Sequence, residues 1–232
     1  KMRKQVEMSG YQALLTDLDG TLIHSQDCIC DALFAAFQKV SRVIPSKEQI
    51  MGMFGLPVEV MLTTLTDISQ DDKETITQFI EEYKRQYPIH MEHARLIDGA
   101  LETMQYIESL GCPICLITSE RRKNAAHILK QMGLDRYIRY MVSRDDVTCF
   151  KPDPEPILKG AAACGMNPED CVYIGESPFD IKAGVAAGVY TVAVPSGNWS
   201  LDSLMEQSPD CVVNEIKELC SIFDHSEKRR RI

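Results

Sequence analysis

Two aspartates one residue apart, in the run Asp17-Leu18-Asp19-Gly20-Thr21, are the first residues whose spacing points to chemistry. They follow directly on Ala13-Leu14-Leu15-Thr16, a short apolar stretch that reads as a strand. Two acids held this close at a strand end repel one another unless a cation lies among them. Gly20 lets the chain turn sharply behind them. Taken alone, the run is equally well a turn with two solvated acids. Three further groups stand at comparable places in the chain. Thr118-Ser119 follows the apolar stretch Ile114-Cys115-Leu116-Ile117. Lys151, in Lys151-Pro152-Asp153-Pro154-Glu155-Pro156, lies beyond Tyr140-Met141-Val142. Gly175-Glu176-Ser177-Pro178-Phe179-Asp180 follows Cys171-Val172-Tyr173-Ile174. If these strands are parallel, a hydroxyl, a cation and a pair of acids meet the two aspartates beyond one edge of a sheet, where open α/β sheets bind ligands.

The elements that must position these groups are legible from their periods. The apolar stretches, with Tyr190-Thr191-Val192-Ala193-Val194 added, do not alternate with polar residues, the pattern of parallel strands covered on both faces. Helices fall between them. Asp98 is the expected cap of Ala100 to Leu110, which Gly111 ends; Ser119 precedes Arg121 to Met132, closed by Gly133; Pro154 and Pro156 open a helix that runs towards Cys164 and Gly165. Such alternation predicts an α/β fold with right-handed crossovers. Ser25 to Glu92 breaks the rhythm and reads as helices only: Asp27 to Val40, Lys47 to Met53, Val58 to Leu65 and Gln70 to Tyr87, punctuated by Pro45, Pro57 and Pro88. The expected architecture is a Rossmann-like parallel-sheet core, 1–24 with 93–232, and a small all-helical cap, 25–92, inserted after the first strand.

Composition narrows the function classes. A formal charge of −9 over 232 residues argues against nucleic acid as a partner, since a polyanion requires a basic face, but leaves small anions open. The tail Glu227 to Ile232, with Lys228 and three arginines, reads as frayed and solvated. No apolar run approaches the roughly 20 residues of a membrane helix. Lys1, Arg3 and Lys4 are not followed by a hydrophobic stretch of signal-peptide length. The nine cysteines are odd in number and several have apolar neighbours, which predicts reduced, buried thiols and a cytoplasmic protein. Cys112-Pro113-Ile114-Cys115 has no second pair at zinc-ligand spacing, and Cys115 falls inside an expected strand.

The ordered set Asp17 to Thr21, Thr118, Lys151 and Glu176 with Asp180 resembles the four motifs of the haloacid dehalogenase-like hydrolase superfamily, beginning with its DxDGT. The likeness is to the phosphoglycolate phosphatase-like branch, which carries a helical cap after the first motif, and it covers nearly the whole chain, including the KPxPEP run. Asp19 points to the phosphatases, because the dehalogenases lack that second acid. The resemblance implies a magnesium-dependent phosphatase acting on a small phosphomonoester: a phosphoglycolate, a sugar phosphate or a nucleotide monophosphate. Asp17 would be the nucleophile that becomes an aspartyl phosphate. Asp19 would protonate the leaving alcohol and then accept a proton from water.

Further roles follow from the same resemblance. Thr118, with the backbone N–H groups of Leu18 and Ser119, would bind the phosphoryl oxygens. Lys151 would neutralise the transferring group and keep Asp17 ionised. Magnesium, which prefers hard oxygen donors, would take a carboxylate oxygen of Asp17, the backbone carbonyl of Asp19 and a side-chain oxygen of Glu176, with Asp180 on metal-bound water or the nearby network. Glu176 stands where many members carry Asp; should its longer stem reach only through water, Asp180 becomes the direct ligand. Cap closure would exclude water while the leaving group departs, and the loop of Gly52, Gly55 and Pro57 is where specificity is expected. His24, His90 and His93 lie near the expected hinges, while His127, like them, has no metal-ligand partner at telling spacing. A phosphomutase shares all of these catalytic residues. A phospho-signalling receiver is shorter, lacks the helical insert and has no Asp-x-Asp pair. The expected partner is a small phosphorylated metabolite, with no nucleic acid or membrane, and the chain is expected to be a monomer or weak homodimer.

Overall fold

The computed structural model describes residues 10–54 and 56–224. The basic start at Lys1, Arg3 and Lys4, the glycine at 55 and the tail from Glu227 lie outside the described residues. In chain order, the elements begin with β1 (Ala13–Thr16), β2 (Ile23–His24), α1 (Gln26–Val40), α2 (Lys47–Met51), α3 (Val58–Leu65), α4 (Lys73–Met91) and β3 (Arg95–Leu96). They continue with α5 (Ala100–Ser109), β4 (Ile114–Ile117), α6 (Arg122–Gln131), β5 (Ile138–Val142) and α7 (Glu155–Ala163). The last are β6 (Cys171–Gly175), α8 (Pro178–Ala187), β7 (Tyr190–Ala193), α9 (Leu201–Met205), β8 (Cys211–Val212) and α10 (Leu219–Phe223). The chain divides into two compact units, one running to Leu22 and resuming at Ile97, the other spanning Ile23–Leu96.

The larger unit is a six-stranded parallel sheet in the order β5-β4-β1-β6-β7-β8. Every residue of β1, β4 and β6 is buried, which is why these strands are apolar throughout rather than alternating. The α/β class read from the sequence holds, and β8 adds a short edge strand that two residues, Cys211 and Val212, could not announce. One side of the sheet packs Leu15, Ile117 and Tyr173 with Ile157 and Ala161 of α7 and Ala183 of α8. The approach is close: a Cβ on Gly160 would stand 2.5 Å from Ile117 Cδ1, so glycine lets α7 come this near with the Ile117 side chain undisturbed. At α5 the cap is Gly99, in the left-handed region at φ 83°, and not Asp98. The turn needs a backbone conformation that an aspartate adopts only with strain, and glycine supplies it.

The smaller unit has its own core. Phe37 of α1 and Phe79 of α4 meet with ring centroids 4.8 Å apart, among Leu33, Ile50, Met61 and Leu62. Its ends fall outside the expected 25–92 because Ile23–His24 and Arg95–Leu96 pair as an antiparallel ribbon. Pro88 does not punctuate α4 but sits inside it. The bond a proline cannot make leaves the carbonyl of Lys84, an exposed residue that water can reach. The start of that helix is Lys73, not Gln70, because the Asp72 carboxylate accepts the Thr75 N–H and caps it there.

All nine cysteines are free thiols, Cys115 within β4 among them. The expectation that they are buried fails for Cys149, which is exposed, and for Cys211 and Cys220, which are half-buried. Cys149 sits on the loop between β5 and α7.

Candidate active site

The pairing of β1 does not stop with the strand. Asp17 N–H donates to the Ile174 carbonyl at 3.0 Å, one rung past Thr16, so Asp17 emerges beside the end of β6. Thr118 emerges from β4 in the same way, its N–H donating to the Val142 carbonyl at 3.0 Å. Behind Asp17 the chain reverses at Gly20, at φ 75°, with the N–H groups of Thr21 and Leu22 both returning to the Leu18 carbonyl. The Ser196 hydroxyl donates to the Gly20 carbonyl and ties the turn to the end of β7. Within this turn Leu18 is fully buried, Asp17 is 6% exposed and Asp19 is half-buried. The Thr21 hydroxyl donates to Asp17 Oδ2 at 3.2 Å.

Lys151 arrives on a loop that polar contacts hold in shape. The Glu155 carboxylate accepts the Thr148 N–H at 3.1 Å and the Cys149 N–H at 2.7 Å, and Lys159 pairs with it at 2.7 Å. The Lys151 ammonium then meets three acceptors: Asp17 Oδ1 at 2.7 Å, Asp180 Oδ1 at 2.6 Å and the Tyr173 hydroxyl at 3.4 Å. Its side chain is 9% exposed. Asp180 itself opens α8 through a capping box, its Oδ2 accepting from the Ser177 N–H at 3.1 Å and from the Ser177 hydroxyl at 2.6 Å. Gly175 allows this approach, since a Cβ there would lie 2.3 Å from the Cβ of Asp180. Glu176, next in the chain, is buried.

One ammonium between two buried carboxylates cannot balance both, and the cost of the second negative charge falls on Asp17, whose ionisation is the harder of the two. Burial pushes its carboxyl up to about 7 against the pull of Lys151, with Asp180 and Asp19 adding to the rise. Burial also works against ionisation of Asp180, but Lys151, then Ser177 and Tyr173, hold it below its ordinary value. Lys151 is raised, because Asp17 and Asp180 outweigh the cost of burying its charge. The anionic form of Asp17 therefore wants more positive charge than the protein supplies. Asp19, whose charge adds to the rise at Asp17, and Glu176, buried just past the end of β6, carry hard oxygens of the kind that bind magnesium.

Of the residues singled out by sequence, the structure brings Asp17, Lys151 and Asp180 into direct contact, and it sets Leu18, Asp19, Thr118, Ser119 and Glu176 at the strand ends of the same sheet. Ser119 is exposed there and Thr118 buried, its hydroxyl accepting the Glu120 N–H at 3.0 Å. Among the described residues, Cys149, Asp153 and Glu155 place three candidate ligand atoms within 4.8 Å of one another, on the loop that carries Lys151 and not at the strand ends. His24, His93 and His127 are exposed and His90 half-buried. Residue type and spacing do not reveal Tyr173 or Gly175: the first reads as a core aromatic, the second as a strand end. Thr21 belongs to the acid-bearing run, but nothing in the run says which oxygen it reaches.

The family model described as haloacid dehalogenase-like hydrolase matches residues 14–194. The chain is similar to the pyrophosphatase PpaX of Halalkalibacterium halodurans, 29% identical over 213 residues that make up 90% of this chain and 95% of that one. It is equally similar to the phosphoglycolate phosphatase of Thiobacillus denitrificans, 29% identical over 211 residues, 89% of this chain and 93% of that one. Among solved structures, a hydrolase from Pseudomonas syringae superposes with a TM-score of 0.80 at 26% identity, covering 92% of this chain and 98% of that one.

Proposed function

Because the chain belongs to the haloacid dehalogenase-like hydrolases, we propose that it is a magnesium-dependent phosphatase that hydrolyses a small phosphomonoester through an aspartyl phosphate on Asp17. The observation that carries this reading is the Asp17–Lys151 pair, 2.7 Å apart and almost shielded from water at the end of β1.

Asp17 is the nucleophile of the two acids. It is the one with an ammonium on Oδ1 and a hydroxyl on Oδ2, which fix the carboxylate in place. Its oxygen attacks phosphorus and the leaving alcohol departs with the other bonding pair, giving an acyl phosphate and the free alcohol. Asp19, less buried, supplies the proton that the departing oxygen needs, and as a carboxylate it then takes one from the water that attacks the aspartyl phosphate. Lys151 stabilises charge on the transferring group, and Thr118 with the N–H groups of Leu18 and Ser119 holds its oxygens. Asp17, the Asp19 carbonyl and Glu176 would hold magnesium, which when bound adds the positive charge that burial of Asp17 calls for.

The relatives' names offer two leaving groups, glycolate and phosphate, and the catalytic residues serve either. A panel of phosphoglycolate, sugar phosphates, nucleotide monophosphates and pyrophosphate, assayed for phosphate release with and without magnesium, tests the reading. Release from a phosphomonoester should need the metal and vanish in Asp17→Asn. Turnover that persists in Asp17→Asn rules out the proposed nucleophile. Turnover of a sugar phosphate only when a bisphosphate primer is supplied, without free phosphate, makes the protein a mutase instead.

A further inference from the structure

We infer that Tyr173 is a positioning residue for Lys151, and that Asp180, joined to both, is the lysine's anchor and not a ligand of the metal. The inference deepens the phosphatase reading and rests on it. Asp180 is 2% exposed and an ionised carboxylate offers about four acceptor positions. Four donors reach it: Lys151 and the Tyr173 hydroxyl on Oδ1, the Ser177 N–H and hydroxyl on Oδ2, at 2.6, 2.7, 3.1 and 2.6 Å. A cation taken by Asp180 would have to displace one of these, and two of them also open a helix.

The lysine side of the arrangement is matched in the same way. An ammonium has three N–H donors, and three acceptors stand around this one: Asp17, Asp180 and Tyr173. The Tyr173 hydroxyl thus accepts from Lys151 while it donates to Asp180, closing a three-membered ring of contacts around Oδ1 of that acid. The ring is rigid because its members are. Tyr173 is fully buried in the middle of β6, between neighbours paired on both sides. Its aromatic edge is close enough to α8 that a Cβ on Gly184 would stand 3.0 Å from Cδ1. When Asp17 gives up its charge to become an acyl phosphate, the N–H that faced it is released towards the phosphoryl oxygens, while Asp180 and Tyr173 hold the other two in place. A phenylalanine would fill the same volume in the core; the hydroxyl is what the positioning requires.

Tyr173→Phe removes that hydroxyl alone. With the substrate that the panel identifies, kcat should fall by about tenfold and KM should stay within about twofold, since the loss acts on charge that develops in the transition state. Introduced into Lys151→Ala, the same change should cost less than about twofold, because there is no ammonium left to position. Manganese titration of the apoprotein, which needs no substrate, should give the wild-type affinity for Tyr173→Phe and a clearly weaker one for Glu176→Gln, with Asp180→Asn losing less than Glu176→Gln because only its charge, not a ligand, is removed. A wild-type rate in Tyr173→Phe, or an equal loss with and without Lys151, overturns the positioning role. A fall in manganese affinity in Asp180→Asn as large as that in Glu176→Gln makes Asp180 a ligand and overturns the anchor. Failure of the phosphatase reading would look different, as turnover surviving Asp17→Asn.

Discussion

At the residue scale, the site separates two acids of one type by their surroundings. Asp17 is buried, locked by Lys151 and Thr21, and Asp19, two residues on, keeps partial access to solvent. A nucleophile gains from being held still, and a general acid must reach a departing group and exchange its proton. With Asp17 as the proposed nucleophile and Asp19 as the proposed general acid, Asp19→Asn should leave attack by Asp17 intact but slow the departure of poor leaving groups. With an alkyl phosphate the loss should be about 100- to 10,000-fold; with p-nitrophenyl phosphate, whose leaving group needs no proton, the burst of p-nitrophenol should survive while the later steady rate falls. Equal losses in the burst for both esters would remove Asp19 from that role. Asp17, Lys151 and Asp180 stand out in the sequence only as members of an ordered set, since each alone is equally a turn acid or a surface lysine. Tyr173 does not, because a tyrosine inside an apolar strand is ordinary, and only its contacts with Lys151 and Asp180 show that its hydroxyl has work to do.

At the scale of the element, the loop between β5 and α7 decides where Lys151 points. Glu155 holds it by accepting two backbone N–H groups ahead of the lysine from a position behind it. The Lys159 hydrogen bond, then the N–H groups of Cys149 and Thr148, hold the Glu155 carboxyl down at about 2. A carboxyl whose pKa is lower in the folded chain adds stability above its unfolded value, here near 4.5, and loses it as the pH falls towards the folded value near 2. Glu155→Gln should be less stable than the wild type above that window, and the two should converge as the pH drops through it, measured by urea unfolding at a series of pH values. At neutral pH the amides of Thr148 and Cys149 should exchange faster in the variant. A stability difference that stays constant down to pH 2 would mean the carboxylate charge is not what holds the loop. The strands were readable because burial on both faces writes itself as unbroken apolar runs. The helix ends were less so: Gly99 depends on a left-handed backbone conformation, and Pro88 sits inside α4 opposite an exposed Lys84, neither of which residue type alone announces.

At the scale of the molecule, the sequence forecast of a helical insert in an α/β core follows from a change in period, and the same change separates two cores. Phe37 and Phe79 with their neighbours close one, and the strands with α7 and α8 close the other. The insert leaves the sheet unit after Leu22 and returns at Ile97, where the Ile97 N–H donates to the Leu22 carbonyl at 2.9 Å. That bond joins the two severed ends of the larger unit. Damage to the smaller core should accordingly stay within it. Phe79 is fully buried, and its truncation removes a ring from contact with Phe37. Phe79→Ala should cost about 3–5 kcal/mol of stability, and amide exchange should quicken across Ile23–Leu96 while the amides of β1, β4 and β6 keep their protection. Loss of protection in those three strands at the same denaturant concentration would show that the two cores melt as one, and that the insert is part of what holds Asp17 and Lys151 together.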